Sequence, residues 1–343
     1  MRERDKVIPG YRRFLLSIIV PVFNEQEVLP EFYSRLSAAL VSARVDEIEI
    51  LFVNDGSADE TLSILCEMSR ADQRVQVIDL SRNFGKEAAM TAGLEYASGD
   101  AALIIDADLQ DPPELIPQMV AEWRNGFDVV YMRRLSRKSE TWFKKTSAAV
   151  FYALLGRIGR FRVPENVGDF RLLSRRAINA LNRMPERTRF MKGLFAWIGF
   201  PAKEITYHRA PRHAGKTKWN YWQLWNFALE GLTSFTVAPL KLASYVGVLT
   251  SLASLLYGLF VFLKTLFSGD PVPGYPSLMV VISFLGGLQL LALGIIGEYL
   301  GRMFIEAKQR PRYLVNRHYQ SIKRHPLSLV QDERVRSCSK KMA

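Results

Sequence analysis

Five short apolar runs punctuate the first 132 positions of this chain: Leu15–Val22, Ile48–Asn54, Val75–Leu80, Ala101–Asp106 and Val129–Met132. Most are rich in Val and Ile, and their length suits strands buried on both faces. Between them lie stretches of helical character, roughly Glu27–Ala43, Ala58–Arg70, Lys86–Ala97 and Pro113–Asn125. Alternating strand and helix predicts an α/β fold on a doubly wound, mostly parallel sheet. After Met132 the alternation stops. A basic cluster (Arg133, Arg134, Arg137, Lys138, Lys144, Lys145) leads into a helix over about Glu140–Ile158. That cluster reads either as a solvated face or as cations that meet a phosphate or a membrane surface.

The pattern changes again toward the C-terminus. Leu242–Leu263 and Pro271–Gly297 contain no charged residue. At about 1.5 Å per helical residue, the first run and Ser277–Gly297 within the second can each cross a bilayer core of about 30 Å. The short polar connection predicts a two-helix hairpin. Upstream, Asn220, Gln223, Asn226 and Glu230 form a thin polar stripe among Trp219, Tyr221, Trp222, Trp225 and Phe227. Such a helix, over 219–236, suits the headgroup level of a membrane. The expected organisation is an α/β domain over 1–218, the interfacial helix over 219–236, the hairpin over 237–301 and a basic tail over 302–343.

Charge supports that arrangement. The formal net charge is +12, and the tail after Gly301 holds eleven basic residues against three acids. By the positive-inside tendency both hairpin ends face the cytoplasm, where anionic lipid attracts the tail. No nucleic-acid-binding module is recognisable, so the lipid bilayer rather than nucleic acid is the expected partner. Only two cysteines are present, and the four histidines lack metal-ligand spacing. The apolar stretch after the charged residues 1–14 is too short and too soon interrupted for a signal peptide.

Each of the first two apolar runs ends in polar residues, and similar motifs follow the third and fourth. They read Pro21-Val22-Phe23-Asn24-Glu25, Asn54-Asp55-Gly56-Ser57, Asn83-Phe84-Gly85-Lys86 and Asp106-Ala107-Asp108-Leu109-Gln110-Asp111-Pro112-Pro113. Carboxyl ends of strands in an open α/β sheet converge on one crevice. There the acids Asp106 and Asp108 suit a hard divalent cation, Mg2+ or Mn2+, that clamps a diphosphate. Gly85-Lys86 opens a helix whose free N–H groups favour phosphate. Asn24, Glu25 and Asp55 offer partners to a base and a ribose. Asp55 reads equally as a helix N-cap, and Asp111 either joins the acids or begins a helix. No G-x-G-x-x-G follows the first strand, which argues against a dinucleotide oxidoreductase.

Two further motifs complete the series: Asn166-Val167-Gly168-Asp169-Phe170-Arg171-Leu172 and Gly297-Glu298-Tyr299-Leu300-Gly301-Arg302. In this order the motifs resemble the GT-A-fold glycosyltransferases of family 2. More narrowly they resemble polyprenyl-phosphate glycosyltransferases, namely the bactoprenol glucosyl transferases of phage-type O-antigen modification and their dolichol-phosphate mannose synthase relatives. The resemblance spans about Leu15 to Tyr313. It implies inverting transfer of one sugar, from UDP-glucose, to undecaprenyl phosphate at the cytoplasmic face of a bacterial inner membrane. It assigns Pro21, Asn24, Glu25, Asp55, Gly85, Lys86 and Asp106 to the nucleotide sugar, with Asp108 and Asp106 on the metal. Asp169 matches the family's catalytic base.

The acceptor is an anion approaching another anion, so cations must offset the repulsion. Arg171 and one of Arg133 or Arg134 are the expected cations, joined by Lys216 and Lys218 from a Gly-containing loop. A phosphate monoester, with a second pKa of about 6, is already largely ionised near neutral pH. Asp169 therefore acts either as a proton acceptor or by orienting Arg171. Within the enzyme class the alternatives are an aminoarabinose- or mannose-type donor, or a processive synthase, whose Q-x-x-R-W motif is missing at Gln223. A non-catalytic lipid-binding adaptor is the alternative outside it. The series Gly294, Gly297 and Gly301 suits close helix packing, and a homo-oligomer, up to a tetramer, is expected.

Overall fold

The computed structural model describes residues 13–134, 167–187, 189–207, 238–268 and 274–320. Within them one sheet gathers β1 (Leu15–Val22), β2 (Glu47–Asn54), β3 (Val75–Leu80), β4 (Ala101–Ile104), β5 (Val129–Arg134), β6 (Val167–Ser174), β7 (Ala202–Tyr207) and β8 (Val315–Tyr319). The spatial order is β7-β5-β6-β4-β1-β2-β3-β8. Strands β4, β1, β2 and β3 run parallel, whereas β6 lies antiparallel between β4 and β5. The expected interfacial helix, the helix over 140–158, and Lys216 and Lys218 lie outside the described residues.

Side-chain alternation along the strands sorts the core into two layers. Leu16, Ile18, Val20 and Val22 of β1 pack on one face with Leu29, Phe32 and Leu36 of helix α1 (Leu29–Ser42). Ile19 points the other way, with Met90 and Leu94 of helix α3 (Lys86–Tyr96); helix α2 (Thr61–Ala71) joins β2 to β3. Each fully buried Phe or Leu contributes about 1.5–3 kcal/mol. Gly93 lets α3 approach closely, since a Cβ there would lie 2.2 Å from Ile19 Cγ2. The expected helix after Pro112 begins as one 3-10 turn, Pro113–Leu115, before helix α4 (Ile116–Arg124). Helix α5 (Arg175–Asn182) follows β6, with Ser174 capping it, and helix α6 (Met191–Trp197) precedes β7.

Pro21 lies in a central strand without breaking a ladder. The β1–β4 pairing ends at Ile19 and Ile104, and Ile105 N–H donates to Ile19 O at 3.0 Å. Two residues on, the nitrogen of Pro21 faces the same side, where β4 has already ended, so its missing N–H leaves no sheet bond unmade. The crevice opens at this gap, where the chain winds away from β1 in both directions, the usual ligand position in such sheets.

Helices α7 (Ala238–Ser268) and α8 (Tyr275–Ala307) contain the two candidate spans, with windows at Ala243–Phe260 and Phe284–Ala307. Val248, Leu249, Leu252, Leu255 and Leu256 are each more than half exposed. An apolar helix left bare on this scale is stable in lipid, not as a soluble core helix. Helix α8 runs past the expected end of the hairpin at 301, and its ion pair Glu298–Arg302 (2.9 Å) marks its polar exit.

The separate basic tail expected over 302–343 is corrected at its start. Residues 315–319 form β8, antiparallel to β3 at the sheet edge. Its sequence, Val-Asn-Arg-His-Tyr, is short and mostly polar, so no apolar run announces it. The residues before it grip the same domain. Glu306 accepts the Arg187 N–H at 2.8 and 3.0 Å, Arg312 donates to Glu95 at 3.0 Å, and Tyr313 bonds Glu95 at 2.5 Å.

Candidate active site

The loops after β1, β2 and β3 hold one another at the rim of the crevice. Asn24 adopts a left-handed backbone (φ 54°), which its short polar side chain tolerates. Its Oδ1 accepts the Ala58 N–H at 2.9 Å, while its own N–H donates to Ser57 Oγ at 3.0 Å. The Glu25 N–H donates to Thr61 Oγ1 at 2.9 Å. Asp55, 4% exposed, takes the N–H groups of Phe84 at 2.7 Å and Gly85 at 2.9 Å. Asp55 does not cap α2, whose N-cap is Glu60; its side chain fixes the loop leading into α3. Burial raises its pKa against the pull of those two N–H groups. Gly56 (φ 66°) makes the contact possible, because a Cβ there would lie 2.4 Å from the Arg82 carbonyl carbon.

Across the crevice the decisive geometry is a register. In the antiparallel β4–β6 pair Ile104 lies opposite Arg171. Extending that register two residues sets Asp106 opposite Asp169, although 62 residues separate them in the chain. Lys86, at the start of α3, closes the figure. Its Nζ lies 2.6 Å from Asp106 Oδ1 and 2.6 Å from Asp169 Oδ2. The side chain keeps 42% of its surface, so the bridge sits at the crevice mouth. Burial opposes the ammonium charge, but Asp106 and Asp169 outweigh it and raise the Lys86 pKa. Burial likewise opposes ionised Asp169; Lys86, Lys192 and Arg171 overcome this and hold it well below the ordinary carboxylate range.

Asp108 Oδ1 accepts the Gln110 N–H at 3.1 Å, an Asx turn that orients the second acid. Leu109 between them is left-handed (φ 59°), a local strain characteristic of functional loops. Among the described residues no group of three or more His, Cys, Asp or Glu side chains converges for a metal. The carboxylate oxygens of Asp106 and Asp108 are donors of the kind that suits a hard cation such as Mg2+.

Asp111 does not join them. It is 1% exposed, bonds the hydroxyl of Tyr207, and lies 3.8 Å from Arg134. Burial raises its pKa, and Asp106 adds to the shift. The expected acceptor cations separate in the same way. Arg134 stays beside the crevice, held by Asp111 and by Tyr207 Oη at 3.2 Å. Arg133 instead pairs with Glu204 of β7 at 3.1 Å. Arg171 enters the cluster but is covered: it is 4% exposed, stacks 3.7 Å from the Phe195 ring centroid and donates to Gly168 O at 2.7 Å. The side chain expected to meet the acceptor is thus buried rather than open to the crevice. Burial lowers the pKa of the guanidinium to about 10, against the pull of the Asp169 charge.

Two further site residues were not among those expected from sequence. Glu87 follows Lys86 into α3 and is buried beside Asp169; burial and the Asp169 charge push its pKa up to about 8. Lys192, in the first turn of α6, adds a third cation near Asp169, and burial lowers its pKa. The signal that could have found Glu87 is its place directly after the Asn83-Phe84-Gly85-Lys86 motif. Nothing local distinguishes Lys192, which folding alone delivers.

Comparison with known proteins agrees with this architecture. A model of glycosyl transferase family 2 matches residues 17–181, and one of the GtrB C-terminal hairpin matches residues 238–303. An uncharacterized glycosyltransferase of Synechocystis is 52% identical over 88% of this chain and 94% of its own length. A bactoprenol glucosyl transferase of Shigella phage SfV is 46% identical over 89% of this chain and 99% of its own. Among solved structures, glucosyl-3-phosphoglycerate synthase of Mycobacterium tuberculosis, in complex with Mn2+, UDP and glucosyl-3-phosphoglycerate, is 17% identical. The match covers 65% of this chain and 81% of that one, with a TM-score of 0.41.

Proposed function

The chain belongs to glycosyltransferase family 2 and carries the GtrB-type hairpin, and from that premise we propose that it moves a single glucose from UDP-glucose to undecaprenyl phosphate. The reaction takes place at the cytoplasmic face of a bacterial inner membrane, with the two helices as anchor. The observation that carries this reading is the Lys86 bridge between Asp106 and Asp169. It brings the end of β4, the start of α3 and strand β6 to one point at the rim of the sheet.

On this reading Asn24, Glu25 and Asp55 line the base and ribose side, and Gly85 and Lys86 face the diphosphate. Asp106 and Asp108 would hold Mg2+ or Mn2+, which when bound neutralises charge on the departing UDP. An acceptor phosphate oxygen attacks the anomeric carbon from the face opposite UDP. The new C–O bond forms as the bond to UDP breaks, and the configuration inverts. Asp169 needs to remove little or no proton, since the acceptor is already ionised. Its charge places the Lys86 ammonium beside the leaving group. Arg134 offsets the repulsion between the two phosphates, with Arg171 supporting Asp169. In α8, a Cβ added at Gly294, Gly297 or Gly301 meets nothing within 4 Å, which leaves room for a second copy in a homo-oligomer.

The test is a panel of radiolabelled nucleotide sugars offered with undecaprenyl phosphate. UDP-glucose should give the most organic-extractable label, and chelation of divalent metal should abolish it. A different preferred nucleotide sugar replaces the donor assignment. Failure of every donor with the full-length chain in bilayer discs removes the transferase reading.

A further inference from the structure

The strand that returns from the membrane reaches the donor side of the crevice through one buried carboxylate. Asp79, near the end of β3, is 4% exposed. Asn316 of β8 donates its Nδ2 to Asp79 Oδ2 at 2.8 Å, and Asn54 of β2 donates its Nδ2 to Asp79 Oδ1 at 2.8 Å. Asn54 is 1% exposed, and its Oδ1 accepts the Ser57 N–H at 3.3 Å. Asp55, the next residue, fixes the loop that leads into Lys86. A short chain of hydrogen bonds thus runs from the returning strand to the loops that form the donor side.

We infer that Asn316 is a positioning residue for nucleotide binding: it satisfies the outer oxygen of Asp79 so that Asp79 can hold Asn54, and with it the 54–57 loop, in the shape that receives the donor. This rests on reading that loop as part of the donor site. The physical reason is an asymmetry: a fully paired buried carboxylate adds little net stability, whereas one that loses an N–H donor carries the full cost of its desolvation and is driven to find another partner. Strand β8 is fixed independently at the far end of its approach, where Arg312 donates to Met184 O at 2.5 Å and to Glu186 O at 3.1 Å. Asn316 is therefore held in place by the polypeptide that leaves the membrane.

The experiment measures UDP binding with Mn2+, and donor KM against kcat, on the full-length chain in bilayer discs. Asn316→Asp sets two carboxylates face to face and should raise the UDP Kd and donor KM about tenfold or more. The value of kcat at saturating donor should stay within about twofold, and so should acceptor KM. Adding Asp79→Asn to Asn316→Asp restores the relay with its polarity exchanged: Asn54 donates to the new amide oxygen, and the new amide nitrogen donates to the new carboxylate. This double variant should recover most of the UDP affinity. Asn316→Ala, which adds no charge, gives a smaller loss and serves if Asn316→Asp folds poorly. UDP affinity unchanged in Asn316→Asp and Asn316→Ala, or not recovered in the double variant, overturns the inference alone. A wild-type chain that binds no UDP overturns the donor reading as well.

Discussion

On the donor side of the crevice, loops that follow successive parallel strands bond directly to one another: Asn24 to Ala58, and Asp55 to Phe84 and Gly85. On the far side, the groups come from β5, β6, β7 and α6, and their positions depend on antiparallel register and on ion pairs such as Arg134–Asp111. The first side is assembled from neighbouring strand–loop–helix units. The second is assembled from segments that meet only after folding. On the proposed reading, the nucleotide side can thus be built locally, while the cation proposed for the lipid phosphate must be placed by the whole sheet.

Substitutions can separate the two sides. Asp169→Asn should have the largest effect, lowering turnover about 10²–10³-fold by releasing the Lys86 ammonium from the leaving group, with a smaller loss of UDP affinity measured by calorimetry. Retention of most activity would remove Asp169 from the chemistry. Arg134→Ala should raise acceptor KM about tenfold with donor KM unchanged, by loss of a charge-assisted contact; equal loss on both substrates would merge the two sides into one.

A smaller effect concerns stability. The folded-state pKa of Glu87 is raised to about 8, so the folded chain binds this proton more tightly than the unfolded chain does. Its contribution is fully present below the unfolded carboxylate value and fades as pH rises toward 8. Glu87→Gln should flatten that decline in thermal midpoint; a wild-type midpoint that does not fall over this range contradicts the assignment. Least affected should be Arg133→Ala. Its partner Glu204 is one-third exposed, and a surface pair contributes only about 0–1 kcal/mol, so acceptor KM should move less than about twofold.

This contrast also decides what the sequence makes legible. Strands β1 to β5 and the paired acids announce themselves through apolar runs and the polar residues that end them. Even the pairing of Asp106 with Asp169 is implied once β6 is known to lie antiparallel beside β4. What stays hidden is β6 itself, since Val-Gly-Asp-Phe-Arg mixes charge with apolar residues where an acid and a cation must sit inside the sheet. Arg171 was legible as a site residue but not as a buried one, because only the contact with Phe195 reveals which way it turns. Tyr207 and Lys192 arrive from segments with no motif. The hairpin, by contrast, is written in composition alone, because lipid asks for little beyond length and apolarity.

The outermost strand of the sheet, Val315–Tyr319, is translated only after both apolar helices. Until then the exposed edge of β3 has no partner and is open to pairing with any strand in reach. A ribosome making this chain therefore hands over the anchor before the enzyme can finish folding, so that a molecule with a completed sheet is one whose membrane segments have already been synthesised.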